Sequence, residues 1–597
     1  MLRKHLLPIL LGLTACGSLL RPDGARKELS PDGPTRLRHF LDEVHATNTD
    51  RGRVAAALAG ADIEVEVWDS LDPEQVDRVL GWLLDCKERL DDDFQSTRTT
   101  QDYQLKKAAA RQWIRWALAD QEWNAHRILL SDAEGMHRLP ARFLWHTMQP
   151  ESLREWQRYL ELLEQLPVYL GQLEASLRAC ADQQALPSKL VLRRARTACL
   201  NWLAGRPFVA LSSSTSPWAS EANSALEQCA AISTEDRNKL KDAIDRALVQ
   251  KVGPAYQKLA ACLDELRGLA PAEAGAWARK DGKAWYGYQI SRIAGERTTP
   301  DELHGLGLSE VAHLRTRVSE ALQTIGLQVS VEEYLQQLRE NPAPAQGADK
   351  LWKLDTETSL EVAYQRCLPL FPAGDLTELT MRSGTNLATA QLIPLQYVPG
   401  EPARIDLHTQ AWAGAPRSMI PAWTFAQGVP GAHLRHRVTT TQTTVPLLLR
   451  KMDLPSIEAG WNLYATRLAG EFQMYSAPQD MVGQILLELW HAACLVADTG
   501  LHNEQWSVED AEAYLQDNSC IRRSLCVQTV RDSIERPGQL CAATIGLLQI
   551  ADLREQTQAR MGPVFNPNAF HRFLLSRSLY PIKQIREAVS IWSLEQL

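Results

Sequence analysis

The sequence lacks long apolar runs and the familiar catalytic motifs, and both absences narrow its possible roles. No apolar run reaches the 18 or more residues that a membrane-spanning helix requires. No C-x-x-C pair occurs among the 11 cysteines, so zinc-ribbon and thioredoxin-like folds lack support. The nucleophile elbow, the P-loop, the dinucleotide-binding glycines and His-Glu-x-x-His are absent as well. The common signatures therefore assign no reaction to this chain.

The composition is that of a large folded protein with an acidic balance. Of 597 residues, 45% are hydrophobic and 23% are charged, which is enough apolar mass for a large core and excludes disorder for the bulk of the chain. The 64 Lys and Arg residues against 72 Asp and Glu give a net charge of −8, which argues against nucleic acid as a partner. Tryptophan is frequent, with 18 residues, and fits a large helical core without identifying a ligand.

The first residues have the pattern of an export signal. Arg3 and Lys4 precede a short apolar stretch, which ends in Leu13-Thr14-Ala15-Cys16. This ending resembles the bacterial lipobox, in which the cysteine is lipidated and becomes the mature N-terminus. We therefore predict a lipoprotein signal peptide over residues 1–15 and lipidation at Cys16. An ordinary signal peptide with an unrelated cysteine is the alternative.

The residue after the cysteine and the polar stretch that follows predict where the protein is held. Position 17 is Gly rather than the Asp that resembles an inner-membrane retention signal, so we expect an exported protein, lipid-anchored in the outer membrane and facing the periplasm. Residues 16–37 are predicted to be a flexible tether. The ten remaining cysteines enter an oxidising compartment, and disulfides and free buried thiols both stay open.

The chain beyond the tether is predicted to be mainly α-helical. Apolar residues recur at helical spacing, and capping boxes open helices at Thr299, Ser330 and Ser507. We expect one large domain over 38–597, with one lobe at about 38–345 and a second at about 346–597. A short β hairpin is expected near 390–410, on either side of Pro399-Gly400.

Four segments stand out as motifs. They are Thr299-Pro300-Asp301-Glu302 with the helix that follows, Gly460-Trp461-Asn462-Leu463-Tyr464, Glu488-Leu489-Trp490 continuing to Asp498-Thr499-Gly500-Leu501-His502, and Pro537-Gly538-Gln539 with Ile545-Gly546. In their order and spacing they resemble the bacterial family catalogued as domain of unknown function 885. The resemblance covers nearly the whole mature chain. It implies a helical fold similar to that of α-helical zinc metallopeptidases, with the metal site in the second lobe.

The family signature H-E-x-x-P-G-H-H, with a Glu before the later G-W, implies zinc ligands and a base that this chain has lost. The matching positions, which we call the degenerate site, are Ala426, Gln427, Ala432, His433 and Ala459. Alanine cannot ligate a metal, and the Gln427 amide cannot accept a proton from water. Only His433 remains, and a structural role suits it better than a ligand role. No catalytic residue and no metal ligand is predicted.

Other positions that carry chemistry in the family are replaced too. Ala543 and Thr544 stand where the family has Tyr-Lys, and His491 and Cys494 stand where it has Arg, so groups suited to stabilising an oxyanion are missing. The residues predicted for a remaining cleft are His436, Glu458, Trp461, Tyr464 and His502. For Trp461, Tyr464 and Trp490, core packing is the simpler interpretation.

Three functions are compatible with this pattern. The first is a non-catalytic, peptidase-like lipoprotein, or pseudoenzyme, that binds a peptide, a cell-wall fragment or a protein partner and is held to the membrane by its lipid. The second is a metal-dependent hydrolase with a site rebuilt from His433, His436 and Glu458, with His408 or His502 as further candidates. The third is a structural assembly lipoprotein. No cofactor is expected, because zinc could bind only at the rebuilt site. Neighbouring positions on a helix are rotated by about 100°, so Glu458 should point away from the direction of position 459, where the family has its Glu.

Overall fold

The computed structural model describes a mainly α-helical protein, as the sequence predicts. The described residues are 33–72, 74–95, 100–127, 129–132, 134–295, 297–340, 348–367, 371, 379–384, 395–396, 404–408 and 415–597. The predicted signal peptide, Cys16 and the tether as far as residue 32 lie outside them.

Helices follow one another through the first part of the chain. They are α1 (Gly33–Arg51), α2 (Arg53–Leu58), α3 (Gln75–Asp92), α4 (Gln101–Glu122), α5 (Leu139–Arg142), α6 (Leu153–Asp182), α7 (Lys189–Trp202), α8 (Pro217–Gln228), α9 (Thr234–Ala247), α10 (Gly253–Leu266), α11 (Gly282–Ala294), α12 (Pro300–Thr324), α13 (Val331–Glu340) and α14 (Ala348–Cys367).

The second part carries the segments that resemble the family. Its helices are α15 (Ile420–Gln427), α16 (Ala432–Thr440), α17 (Leu447–Arg450), α18 (Pro455–Glu471), α19 (Pro478–His502), α20 (Val508–Asp517), α21 (Arg523–Glu535), α22 (Ala542–Met561), α23 (Pro567–Ser576) and α24 (Ile582–Glu595).

The expected hairpin region belongs to a small mixed sheet rather than to an isolated hairpin. Its strands are β1 (Thr380–Gly384), β2 (Leu395–Gln396) and β3 (Arg404–His408), in the order β1-β3-β2. The longest pairing is parallel, between β1 and β3, and β2 contributes only two residues antiparallel to β3. The hairpin pattern missed β1 because a parallel partner is distant in sequence and leaves no turn signal.

Capping boxes form where the sequence places them. The Thr299 hydroxyl accepts from the Glu302 backbone N–H, and the Glu302 carboxylate accepts from the Thr299 N–H, with the same exchange between Ser507 and Asp510. The first helix begins earlier than predicted, at Gly33, inside the stretch expected to be tether. Leu37 explains the difference, because it is 2% exposed and belongs to the buried face of α1.

One cluster of buried hydrophobic residues extends from α1 to α24 and includes most of α19. Helix α19 is long and apolar enough to cross a membrane, but most of its length is buried inside the protein, so it is a core helix. It packs along α12, and α18 packs along α22. These two helix pairs hold the segments that carry the family motifs.

Candidate functional site

The degenerate site is built on a tight turn between α15 and α16. The backbone N–H of Gly431 donates to the carbonyl of Phe425, and the N–H of His433 donates to the carbonyl of Gly428 at 3.1 Å. A Cβ at Gly431 would lie 1.9 Å from the carbonyl oxygen of Ala426, so only glycine fits this turn. The backbone geometry of this turn therefore requires the glycine of the motif.

Helix α18 packs against this turn and brings the later motif to it. The indole N–H of Trp461 donates to the carbonyl of Pro430 at 2.9 Å, and Arg435 of α16 pairs with Glu458 of α18 at 3.3 Å. Ala459 lies between these two contacts in sequence and is half-buried. The segments that carry the five degenerate positions are thus neighbours, and the mapping of each position onto a former metal site stays a prediction.

The two histidines of α16 have different surroundings. His433 is completely buried, and His436 is half-buried. Burial lowers the pKa of His436 to about 4, and the positive charges of Arg435, Arg437 and Lys451 contribute to this shift. These positive charges also repel a metal cation such as zinc.

The residues present do not fit a catalytic zinc. Ala426, Ala432 and Ala459 supply no ligand atom, and Glu458 is engaged by Arg435. Within the described part of the chain, no three side chains of His, Cys, Asp or Glu come together in a way that could hold a metal.

Two of the predicted cleft aromatics are core residues, as the packing interpretation expected. Trp461 is 1% exposed and Tyr464 is 2% exposed. The Tyr464 hydroxyl is shared with His571 Nε2 at 2.9 Å and accepts from Arg554 at 3.0 Å. Trp490 is buried too. These rings stabilise the helix packing and do not form a recognition surface.

The structure places His502 in the core instead of the cleft. Its Nδ1 accepts from the backbone N–H of Ala276 at 3.0 Å, and its Nε2 donates to the carbonyl of Ser533 at 3.0 Å. These two bonds require the neutral ring protonated at Nε2, and burial lowers its pKa to about 3. His502 therefore joins α19 to α21 and cannot serve a rebuilt metal site.

Two motif carboxylates are held in buried networks that sequence reasoning did not assign. Glu488 accepts two hydrogen bonds from Arg467, at 2.8 and 2.7 Å, and one from Arg317 at 3.0 Å. Asp498 accepts from Tyr286 at 2.7 Å, from Ser533 at 2.8 Å and from the backbone of Gly538 at 2.9 Å. Burial nevertheless raises the pKa of Asp498 to about 6.

A cavity of about 840 Å³ lies where α18 begins, and we call it the charged cavity. Pro455, the first residue of α18, lines it, and Ala459 follows one helical turn later on the same face. The motif residues Pro537 and Gln539 line it as well. Its remaining charged and aromatic walls come from four parts of the chain and are Asp120, Trp123, Arg127, Glu134, Trp285, Arg292, Asp453, Glu535 and Arg536.

Some of these charges are paired, and others have no side-chain partner among the residues that the structure describes. Asp120 accepts from Arg292 at 3.2 Å. Glu134, Asp453 and Arg127 have no side-chain hydrogen bond or ion pair with the residues that the structure describes. Burial raises the pKa of Asp453, and the nearby Glu134 carboxylate adds to the effect, while Arg292 opposes it. Sequence reasoning missed this set because its members come from separate parts of the chain that meet only through tertiary packing.

Comparisons with other proteins agree with the motif resemblance. A solved structure from Colwellia psychrerythraea, of a protein named as a lipoprotein, superposes with a TM-score of 0.84 at 22% identity and covers 94% of this chain and 100% of its own. A second, from Shewanella oneidensis, of a protein named as a lipoprotein of unknown function, gives 0.71 at 12% identity and covers 94% and 99%.

These two likenesses show a shared fold. Comparison with curated proteins finds no match. The family described as bacterial protein of unknown function (DUF885) matches residues 54–589, so its match extends over most of the chain. The chain therefore belongs to the DUF885 family.

Proposed function

We propose that the protein is an exported, lipid-anchored binding protein whose metallopeptidase-like scaffold has lost catalysis and whose charged cavity holds a short peptide or a peptide segment of a partner. The lipobox at Cys16 and the lipoprotein names of the two structural neighbours support the anchor. The replaced ligands at positions 426, 432 and 459 support the loss of catalysis.

The observation that carries the binding role is the charged cavity itself. Its volume of about 840 Å³ lies within the usual range for ligand sites, and it lies at the start of α18, one helical turn before Ala459. Glu134 and Asp453 offer carboxylates, and Arg127 offers a guanidinium, with none of the three paired to a described side chain. A ligand that carries both charges, as a peptide with free termini does, matches such a wall.

The aromatic residues complete the match. Trp123 and Trp285 line the same cavity, and the Trp285 ring is stacked on His126 with centroids 5.8 Å apart. A wall fixed in this way offers apolar contact area without losing side-chain freedom on binding. The two carboxylates then favour an amino group or a basic side chain, and Arg127 favours a carboxylate.

Calorimetry with the full chain in detergent tests the binding role. A defined pool of tripeptides with free termini should bind saturably, and a pool with acetylated and amidated termini should bind more weakly. The double variant Asp453→Asn and Glu134→Gln should weaken binding roughly tenfold, and Glu555→Gln, an exposed carboxylate on α22, is the matched control. Absence of saturable binding by both pools would overturn the proposal, and so would zinc-dependent cleavage of the peptides.

Mass spectrometry and membrane fractionation test the anchor separately. The protein extracted from membranes should begin at an acylated Cys16 and sediment with the outer membrane. Cys16→Ser should release it from the membrane fraction, because a protein without acyl chains has no stable lipid anchor. An intact Met1 on the wild-type protein would contradict the anchor without touching the binding role.

A further inference from the structure

The positive and negative groups that line the charged cavity are not equal in number. Four carboxylates and three guanidinium groups belong to its walls. Some of them are paired with other side chains of the protein, and the rest remain for a ligand. The charges that remain therefore indicate the charges that a ligand should carry.

Two of the four carboxylates are engaged by the protein itself. Asp120 accepts from the Tyr288 hydroxyl at 2.9 Å and from Arg292 at 3.2 Å. Glu535 is 4% exposed and lies 3.4 Å from the guanidinium of Arg194. Each of these carboxylates thus has an arginine as its partner, and Arg292 is used in this way.

The other two carboxylates belong to Glu134 and Asp453, and the guanidinium that remains with them belongs to Arg127. All three residues are exposed, and none has a side-chain hydrogen bond or ion pair with the residues that the structure describes. Arg536 does interact within the protein. The set without side-chain partners therefore has two negative charges and one positive charge.

Glu134 and Asp453 are close enough to influence each other. Burial raises the pKa of Asp453, and the Glu134 carboxylate adds to that rise, whereas Arg292 opposes it. A ligand with one ammonium group would pair one carboxylate and cover the other, and a desolvated charge without a partner is unfavourable. A second positive group on the ligand removes that cost.

We propose that the charged cavity selects short peptides that begin with a lysine-like residue, with the α-ammonium and the side-chain ammonium paired to Asp453 and Glu134 and the terminal carboxylate paired to Arg127. This inference rests on the proposed peptide-binding role and names the peptides that the site prefers. Such a peptide has two positive charges and one negative charge, which is the complement of the three side chains.

A lysine-like residue suits the cavity in shape as well as in charge. Its two ammonium groups are joined by a flexible four-carbon stem, so one residue can serve two neighbouring carboxylates. Trp123 and Trp285 line the cavity and supply apolar contact area for such a stem. The planar guanidinium of Arg127 matches a terminal carboxylate through two parallel hydrogen bonds.

Four tripeptides with free termini separate this pairing from general attraction. Lys-Ala-Ala carries both ammonium groups on its first residue, and Ala-Ala-Ala carries one. Lys-Ala-Ala acetylated on Nζ keeps the stem without its charge, and Ala-Ala-Lys has the same net charge with the second ammonium at the other end. Calorimetry with the full chain in detergent should give an affinity for Lys-Ala-Ala roughly tenfold higher than for each of the other three.

Removing either carboxylate should remove the preference. In Glu134→Gln and in Asp453→Asn one carboxylate remains, so Lys-Ala-Ala should bind within about threefold of its acetylated form. Ala-Ala-Ala should still bind both variants saturably, because one carboxylate is enough for one ammonium. The exposed Glu555→Gln should keep the full preference. Equal binding of Lys-Ala-Ala and Ala-Ala-Lys, or a preference that persists in both cavity variants, would overturn the inference.

The two proposals fail in different ways. If Ala-Ala-Ala binds saturably and Lys-Ala-Ala binds no more tightly, the peptide-binding role stands and the preference for a lysine-like first residue is wrong. If none of the four tripeptides binds saturably, the peptide-binding role itself is wrong, and the preference fails with it.

Discussion

The carboxylate of Glu458 lies 3.3 Å from the guanidinium of Arg435, across the contact between α18 and α16. The rotation of about 100° between neighbouring helix positions turns Glu458 away from the direction of Ala459, and the structure gives it this arginine as a partner. Glu458 therefore has to break an ion pair before it can join His433 at a metal, and the freed Arg435 would stay beside that metal as a repelling charge.

Zinc binding is the direct check of this arrangement. The wild-type protein should bind less than a tenth of an equivalent of zinc at micromolar metal, because one histidine is not a stable site. A variant with Ala426→His, Gln427→Glu, Ala432→His and Ala459→Glu restores the family ligands and should take up zinc. Near-stoichiometric zinc in the wild type, lost on His433→Ala, would refute the degenerate site.

Two motif glycines, Gly460 and Gly546, lie where α18 crosses α22. The substitution Gly460→Ala should destabilise the protein. A Cβ at Gly460 would lie 2.3 Å from the Cα of Gly546, and backbone atoms cannot move aside as a side chain can. We expect a loss of about 3 kcal/mol in the free energy of unfolding, measured by urea denaturation. Gly287→Ala in α11 is the control, since a Cβ there meets nothing within 4 Å; a similar loss in both variants would contradict the crossing.

The sequence predicted the positions of the main helices better than it predicted the roles of the residues on them. Helical spacing and capping boxes are local signals, so the main α-helices could be placed before the structure. The motif at Gly460 was recognised, but the reason for a glycine is its approach to Gly546, which is distant in sequence. The charged cavity could not be predicted at all, because Asp120 and Asp453 meet only through tertiary packing.

The cysteines give a prediction about thiol chemistry. All ten that follow Cys16 are free and buried. Burial raises the pKa of the Cys86 thiol to about 11 and that of Cys199 to about 12, so neither forms the reactive thiolate at neutral pH. A disulfide-exchange reagent should label no thiol rapidly in the native protein and ten thiols in denaturant without reductant. Fewer than ten in denaturant would indicate disulfides.

The last prediction concerns Glu535, a 4% exposed wall residue of the charged cavity. Burial raises its pKa to about 7, and its Oε2 accepts from the backbone N–H of Asp132 at 2.6 Å. A carboxyl with a raised folded-state pKa stabilises the fold fully below the unfolded pKa, and that contribution is lost as pH rises through the folded pKa. Wild-type stability should therefore decline relative to Glu535→Gln between pH 5 and pH 8, by roughly 2 kcal/mol.

Glutamine keeps the acceptor for Asp132 and carries no charge at either pH, so urea denaturation of both proteins at the two pH values isolates the ionisation. Glu555→Gln should show no such trend, and a stability difference between Glu535→Gln and wild type that is independent of pH would mean that Glu535 is ionised throughout this range.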